Sequence, residues 1–215
     1  MGLRSLHTPR AAALAGVFFA LLFSTSLLLL RSAVPADVSA ETTWVEDGAD
    51  QITLAVALMP FAGIAFLWFV GVVRDQMGRL EDRFFSSVFF GSSLLFLAMV
   101  FVAMAILGGI LATVRADGGS TYEGEVVRFG QALTLQISSV YGLKMAAVVM
   151  VSVGTIWLRT GLMPRWLVAF TYVLALALLV IVTNSAYLLL VFPGWVLGVS
   201  VLIWLTMPSE PDEAD

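Results

Sequence analysis

The chain has 215 residues, of which 60% are hydrophobic and 12% charged, with a formal net charge of −4. A soluble domain of this size is about half apolar and about a quarter charged, so lipid is needed to cover the excess apolar surface. Cysteine is absent, which excludes disulfides, thiolate metal sites and cysteine nucleophiles, and the acidic balance offers no basic patch to nucleic acid.

The first apolar segment, 11–30, reads AAALAGVFFALLFSTSLLLL and is long enough to cross a hydrocarbon core of about 30 Å at about 1.5 Å per residue. A cleaved signal peptide is the rival reading, with Val34-Pro35-Ala36 as the candidate site. The apolar run is longer than a signal core and Arg31 separates it from that site, so retention as an anchor is expected. Ala12, Gly16, Ala20 and Ser24 recur every four residues and form a small-residue stripe on which another helix can approach closely. A polar loop, 31–50, carries Asp37, Glu41, Glu46, Asp47 and Asp50. Segment two, 51–73, contains Pro60 and Gly63, placed to kink it. The charged connector 74–85 follows, with Asp75 and Arg79 four residues apart on one helix face.

Segment three covers 86–114, and a second polar loop, 115–130, holds Asp117, Glu123 and Glu125 against Arg115 and Arg128. Segment four, 131–158, leads into the connector 159–165. The last apolar stretch is too long for one crossing, and Thr183-Asn184-Ser185 divides it into 166–183 and 186–206. Segment six contains Pro193 and a GxxxG spacing at Gly194 and Gly198 that permits close helix packing. The tail 209–215 is acidic and expected to be disordered. The sequence therefore predicts an all-α polytopic membrane protein, a single domain over 1–208 built as a bundle of six transmembrane helices.

Six crossings place both termini on one side, and charge selects which. That side carries Arg4, Arg10, Arg74, Arg79, Arg83, Arg159 and Arg165, whereas the opposite loops carry Arg31, Arg115 and Arg128. The positive-inside rule makes the termini cytoplasmic. Trp68, Trp157, Trp166 and Trp204 fall at the same ends and read as an interfacial aromatic belt. Ten arginines against one lysine fit a GC-rich bacterial genome, and hence a bacterial cytoplasmic membrane.

Lys144, the one lysine, lies inside segment four, where an ionisable group is costly and marks a candidate site. Counted from Trp157, it stands about 20 Å along the helix axis, in the outer half of the membrane. Three readings follow. The ammonium reaches the outer headgroups or an acid of an outer loop, Asp50, Glu123 or Glu125. Alternatively it lines a cavity open to the outside, with Tyr141 and Ser138 on the same helix face, and acts in solute or ion transport. In the third it serves a subunit interface. If Lys144 serves packing alone, Lys144→Met is expected to be neutral or stabilising, because an apolar group replaces a costly charge.

The acidic run Glu46-Asp47-Gly48-Ala49-Asp50 offers oxygens to a hard cation but lacks the EF-hand pattern, and is read as a solvated loop with no metal. His7 is the sole histidine and lies in the amino-terminal tail, so no catalytic residue is assigned and no cofactor is expected. The connector RTGLMPRW, 159–166, resembles a short inner loop of bacterial six-helix integral membrane proteins that have no assigned activity; the resemblance implies class and bacterial origin only. The expected role is a non-enzymatic membrane component packing with itself or with a membrane partner, surrounded by the lipid bilayer. The alternative is a small channel or transporter with an outward-facing site around Lys144.

Overall fold

A computed structural model describes residues 9–78, 83–117, 123–161, 163–181 and 186–206, and no strand occurs among them. The helices are α1 (Pro9–Ala33), α2 (Trp44–Asp47), α3 (Ala49–Gly78), α4 (Arg83–Asp117), α5 (Glu123–Gln136), a π-helical turn (Ile137–Gly142), α6 (Leu143–Thr160), α7 (Arg165–Val180) and α8 (Ala186–Thr206). Five helical stretches are long and apolar enough to cross a membrane: 12–33, 49–74, 84–116, 124–160 and 188–205. The remaining apolar helix, α7, which covers the fifth expected segment, has only 16 residues. The asparagine turn expected between segments five and six, the Asp75–Arg79 pair and the acidic tail lie outside the described residues or their described side chains.

Helix boundaries exceed the apolar segments wherever polar sequence can continue the backbone. Most of the stretch read as a loop over 115–130 is helical: α4 continues to Asp117, and α5 begins at Glu123. Acidic residues suit a helix amino terminus, because carboxylates complement the positive end of its dipole. The helix then runs unbroken in direction from α5 through the π turn into α6. Pro60 and Pro193 both sit inside helices, so the carbonyls four residues before them lack their helical donor.

Neighbouring helices pack antiparallel in the order α7, α6, α4, α3, α1, α8. Close approach is set by small residues. A Cβ on Gly16 would collide with the Ser200 side chain of α8 and lie 3.0 Å from Phe69 of α3. One on Gly63 would strike Phe101 and come within 3.0 Å of Leu97, both on α4. Ser26 closes the α1–α3 contact by donating its hydroxyl to the Ala55 carbonyl at 2.8 Å.

An aromatic core joins the helices at one level. Phe19 of α1 meets Phe66 of α3 at 4.7 Å between centroids, and Phe96 of α4 meets Phe192 of α8 at 4.7 Å. Phe66 also touches both Phe96 and Phe192, at 5.5 and 5.8 Å. Trp195 extends the cluster to Trp157 of α6 at 5.9 Å and donates its indole N–H to Thr171 Oγ1 of α7 at 3.0 Å. Tilted and edge-on pairs of this kind contribute about 0.5–1.5 kcal/mol each beyond burial. Trp157 is therefore a core residue, 8% exposed, and not part of the interfacial belt expected of it, whereas Trp68, Trp166 and Trp204 are exposed.

Candidate membrane-embedded polar site

The sequence places α6 and α7 side by side through their connector. Gly161 ends α6 in the left-handed conformation, φ 68°, and its N–H returns to the Trp157 carbonyl at 2.9 Å, a helix stop that glycine adopts without a Cβ penalty. Pro164 follows in an extended conformation as the residue before α7, and its carbonyl accepts from Leu167 and Val168. The hairpin is tightened midway, where a Cβ on Gly154 would lie 3.4 Å from Thr171 Cγ2. One residue on, Thr155 Oγ1 and Tyr172 Oη share a 2.8 Å hydrogen bond.

At the far end of this hairpin Lys144 Nζ donates to the backbone carbonyl of Leu179 at 3.1 Å. Two independent distances bring them level. From Thr160 back to Lys144 the helix rises about 24 Å, and from Arg165 forward to Leu179 about 21 Å. The chain leaves helix at Ile181, whose φ of −76° and ψ of 119° are extended, and whose N–H returns to Ala177 at 2.9 Å. The last carbonyls of a helix have no following helical N–H. A lysine near a helix carboxyl terminus both supplies a donor and complements the negative end of the dipole.

The expected neighbours of Lys144 are placed differently. Tyr141 is 55% exposed, and the Ser138 hydroxyl donates to the Thr134 carbonyl at 2.7 Å. The intervening π turn, closed by the Leu143 N–H on the Ser138 carbonyl, accounts for this. A π turn carries one residue more than an α turn, which offsets the preceding face by about 100°. The partner of Lys144 is a carbonyl of α7 in place of the acids expected for it. Asp50 and Glu125 are exposed near the starts of α3 and α5, and the Glu123 side chain lies outside the described residues.

Ala12, Gly16 and Ala20 are buried and Ser24 is half-buried, on the side of α1 that meets its neighbours. Gly194 and Gly198 are exposed, and a Cβ on either would meet no atom within 4 Å. Within the chain, the GxxxG face of α8 is thus not a helix contact.

A second polar group was legible only as a span boundary. Gln131 is fully buried, and its Nε2 donates to the carbonyls of Pro35 at 2.8 Å and Asp37 at 3.4 Å, pinning the α1–α2 loop to α5. A buried amide of this kind requires partners, which is the signal that could have found it. Its Oε1 and the Thr134 and Ser200 hydroxyls have no partner, nor does the Trp44 indole N–H. Asp37 itself accepts from the Ser39 N–H at 2.9 Å and its hydroxyl at 2.7 Å, and these bonds, backbone first, hold its carboxyl below the ordinary range. A depressed carboxylate stabilises the folded loop above its unfolded pKa, and the contribution is lost as pH falls through the folded value.

The loop also borders an open hollow of about 340 Å³, lined by Ser32, Glu41, Thr43, Trp44, Asp47 and Gln51 among others. Among the described residues no three acidic or histidine side chains gather as metal ligands. A larger apolar groove of about 410 Å³ runs between α1 and α3, lined by Leu14, Phe18, Leu22, Phe61, Ile64 and Trp68 among others. Set against known proteins, the chain matches no family model, no curated protein and no solved structure.

The Leu179 carbonyl reverses the expectation for Lys144→Met. The ammonium is only half-buried, so little desolvation is relieved, while the carbonyl loses its donor at a cost of about 1–3 kcal/mol. Thermal unfolding in detergent should show Lys144→Met destabilised and Lys144→Arg, which keeps a donor, close to the parent. A methionine variant as stable as the parent would contradict the cap.

Proposed function

We propose that this chain is a non-enzymatic multi-pass protein of a bacterial cytoplasmic membrane, with six crossings and cytoplasmic termini, which packs with itself or a membrane partner. One observation carries the reading: Lys144, the residue most suggestive of transport, is engaged in capping α7. It does so at the exposed end of a helix pair, where Leu179 and Val180 are themselves exposed. A group that conducts solute should instead line an enclosed polar path.

The short helix α7 is the fifth crossing in chain order. Its 16 residues rise about 24 Å against a hydrocarbon core of about 30 Å, so its carboxyl end stops within the outer leaflet. Unsatisfied backbone groups cannot be left there, and the Lys144 ammonium meets that demand. The basic side of the topology is the side of the α3–α4 and α6–α7 connectors, in keeping with positive-inside orientation. The arginine-rich composition and the RTGLMPRW connector favour a bacterial source. The open surface at Gly194 and Gly198 is where a second helix finds room to approach.

Orientation is tested by single cysteines in intact cells. Ser39→Cys should react with a membrane-impermeant thiol reagent and Ser209→Cys should not; the opposite pattern would invert the topology.

Association is tested by fluorescence energy transfer between labelled chains in liposomes. Gly198→Leu should fold normally yet lose transfer. Gly16→Leu should lose folded yield outright, since overpacking within the chain costs about 1–3 kcal/mol. Transfer unchanged in Gly198→Leu would remove the α8 face from the proposal, and solute flux abolished by Lys144→Met in a folded chain would replace packing by transport.

A further inference from the structure

We infer that two copies of this chain pair in the membrane through one shared face of α1 and α8, with Phe18 and Leu21 of each copy seated over Gly198 and Gly194 of the other. The inference rests on the packing role proposed above and names the occupant of the α8 face. Within one chain, α1 and α8 meet where the missing side chain of Gly16 admits Ser200. Beside this contact, Phe19 of α1 and Phe192 of α8 turn into the aromatic core, their centroids 6.1 Å apart. The opposite sides of the two helices therefore look outward together.

On that side α1 presents a ridge. Leu14, Phe18, Leu21, Thr25 and Leu28 are all exposed and are spaced alternately by four and three residues. Helix α8 presents a trough: Gly194, Gly198, Val201 and Leu205 are exposed with the same alternation, and a Cβ on either glycine would meet no atom within 4 Å. Apolar positions recurring every three and a half residues keep two supercoiling helices in contact along their length. Glycine in such a seam lets the partner backbone approach closely. Ridge and trough lie side by side on one molecule, so neither fills the other; Phe18 and Leu21 remain 58% and 55% exposed.

Height matches the two halves. Gly16 and Ser200 are level because they touch, and the helices that carry them run in opposite directions. Phe18 comes two residues after Gly16 and Gly198 two residues before Ser200, so both stand about 3 Å to the same side of that level. Leu21 and Gly194, five and six residues from the contact, stand about 7.5 and about 9 Å to that side. A two-fold axis along the membrane normal preserves height and keeps both copies in one orientation. It brings α1 of each copy against α8 of the other, and the contact closes because each copy offers both halves. Acyl chains would cover ridge and trough without regard to register; the matched heights single out a second copy.

The chain has no cysteine, so the pairing can be tested by mixed disulfides. Differently tagged Phe18→Cys and Gly198→Cys chains, reconstituted together in dilute liposomes and oxidised, should cross-link with each other in preference to either like-with-like product. Gly198→Cys mixed with Phe170→Cys, at an exposed position of α7, should give no such preference. In energy transfer between labelled full chains, Phe18→Ala should weaken association about tenfold, the effect of one interface anchor, and Phe170→Ala should leave it unchanged. Both rings are exposed in the single chain, so neither change disturbs its core. Undiminished transfer in Phe18→Ala, or a mixed cross-link no stronger than the Phe170→Cys control, would overturn the pairing. If Gly198→Leu nonetheless abolishes transfer, the α8 face stands with a different occupant. A parent chain that shows no transfer at all would overturn the pairing as well, and would leave the α8 face to another membrane protein.

Discussion

The bond from the Lys144 ammonium to the Leu179 carbonyl ties the carboxyl end of α7 to α6. Every helix leaves carbonyls at its end without donors, and in water those groups are simply solvated. As the crossing proposed for it, helix α7 ends at Val180 after 16 residues, too soon to carry its carboxyl end clear of a hydrocarbon core. A dry carbonyl there costs about as much as a lost hydrogen bond. Lysine suits the task because its long apolar stem can lie along a helix while its charged head reaches an acceptor. The charge that makes Lys144 look costly in the sequence is, in the fold, a donor to the Leu179 carbonyl near the end of a short helix.

The rest of the bundle accommodates this hairpin. Gly161 and Pro164 set the turn at the basic end, Gly154 allows the backbones to close, and Thr155 with Tyr172 adds a polar tie midway. Interhelical hydrogen bonds in membranes are individually modest, near 0.6 kcal/mol on average. The aromatic cluster around Phe66, Phe96 and Phe192 contributes the larger apolar contact, drawing α8 against α1, α3 and α4. The polar groups then fix register: Trp195 on Thr171 sets α8 against α7, and Gln131 on Pro35 sets α5 against the α1–α2 loop.

The sequence revealed the apolar helices because hydropathy reports directly which segments prefer lipid. It revealed their ends poorly, because a helix continues into polar sequence as long as its backbone bonds are met. Glu123 to Gly130 is helical although polar, and α7 ends three residues before the expected 183. Rotation about each helix axis was not legible either. Trp157 carries the interfacial residue type yet turns inward to Trp195, while Gly194 and Gly198 carry the packing spacing yet face outward. The π turn has no periodic signature, so the offset between Ser138, Tyr141 and Lys144 could not be foreseen. The partner of Lys144 lies 35 residues away and is a main-chain atom, which no side-chain pattern can announce.

The cap can be measured directly because Lys144 is the one lysine in the chain. Labelling lysine with ¹⁵Nζ and leucine with ¹³C at the carbonyl gives a single nitrogen against many carbonyls, of which Leu179 is the bonded one. Solid-state dipolar recoupling in lipid bilayers should then show one leucine carbonyl carbon about 4 Å from Nζ, the separation a hydrogen bond implies. The signal should vanish in Leu179→Val, which keeps the backbone acceptor but removes the label. Absence of any leucine carbonyl near Nζ in the parent chain, or a signal that survives Leu179→Val, would contradict the account.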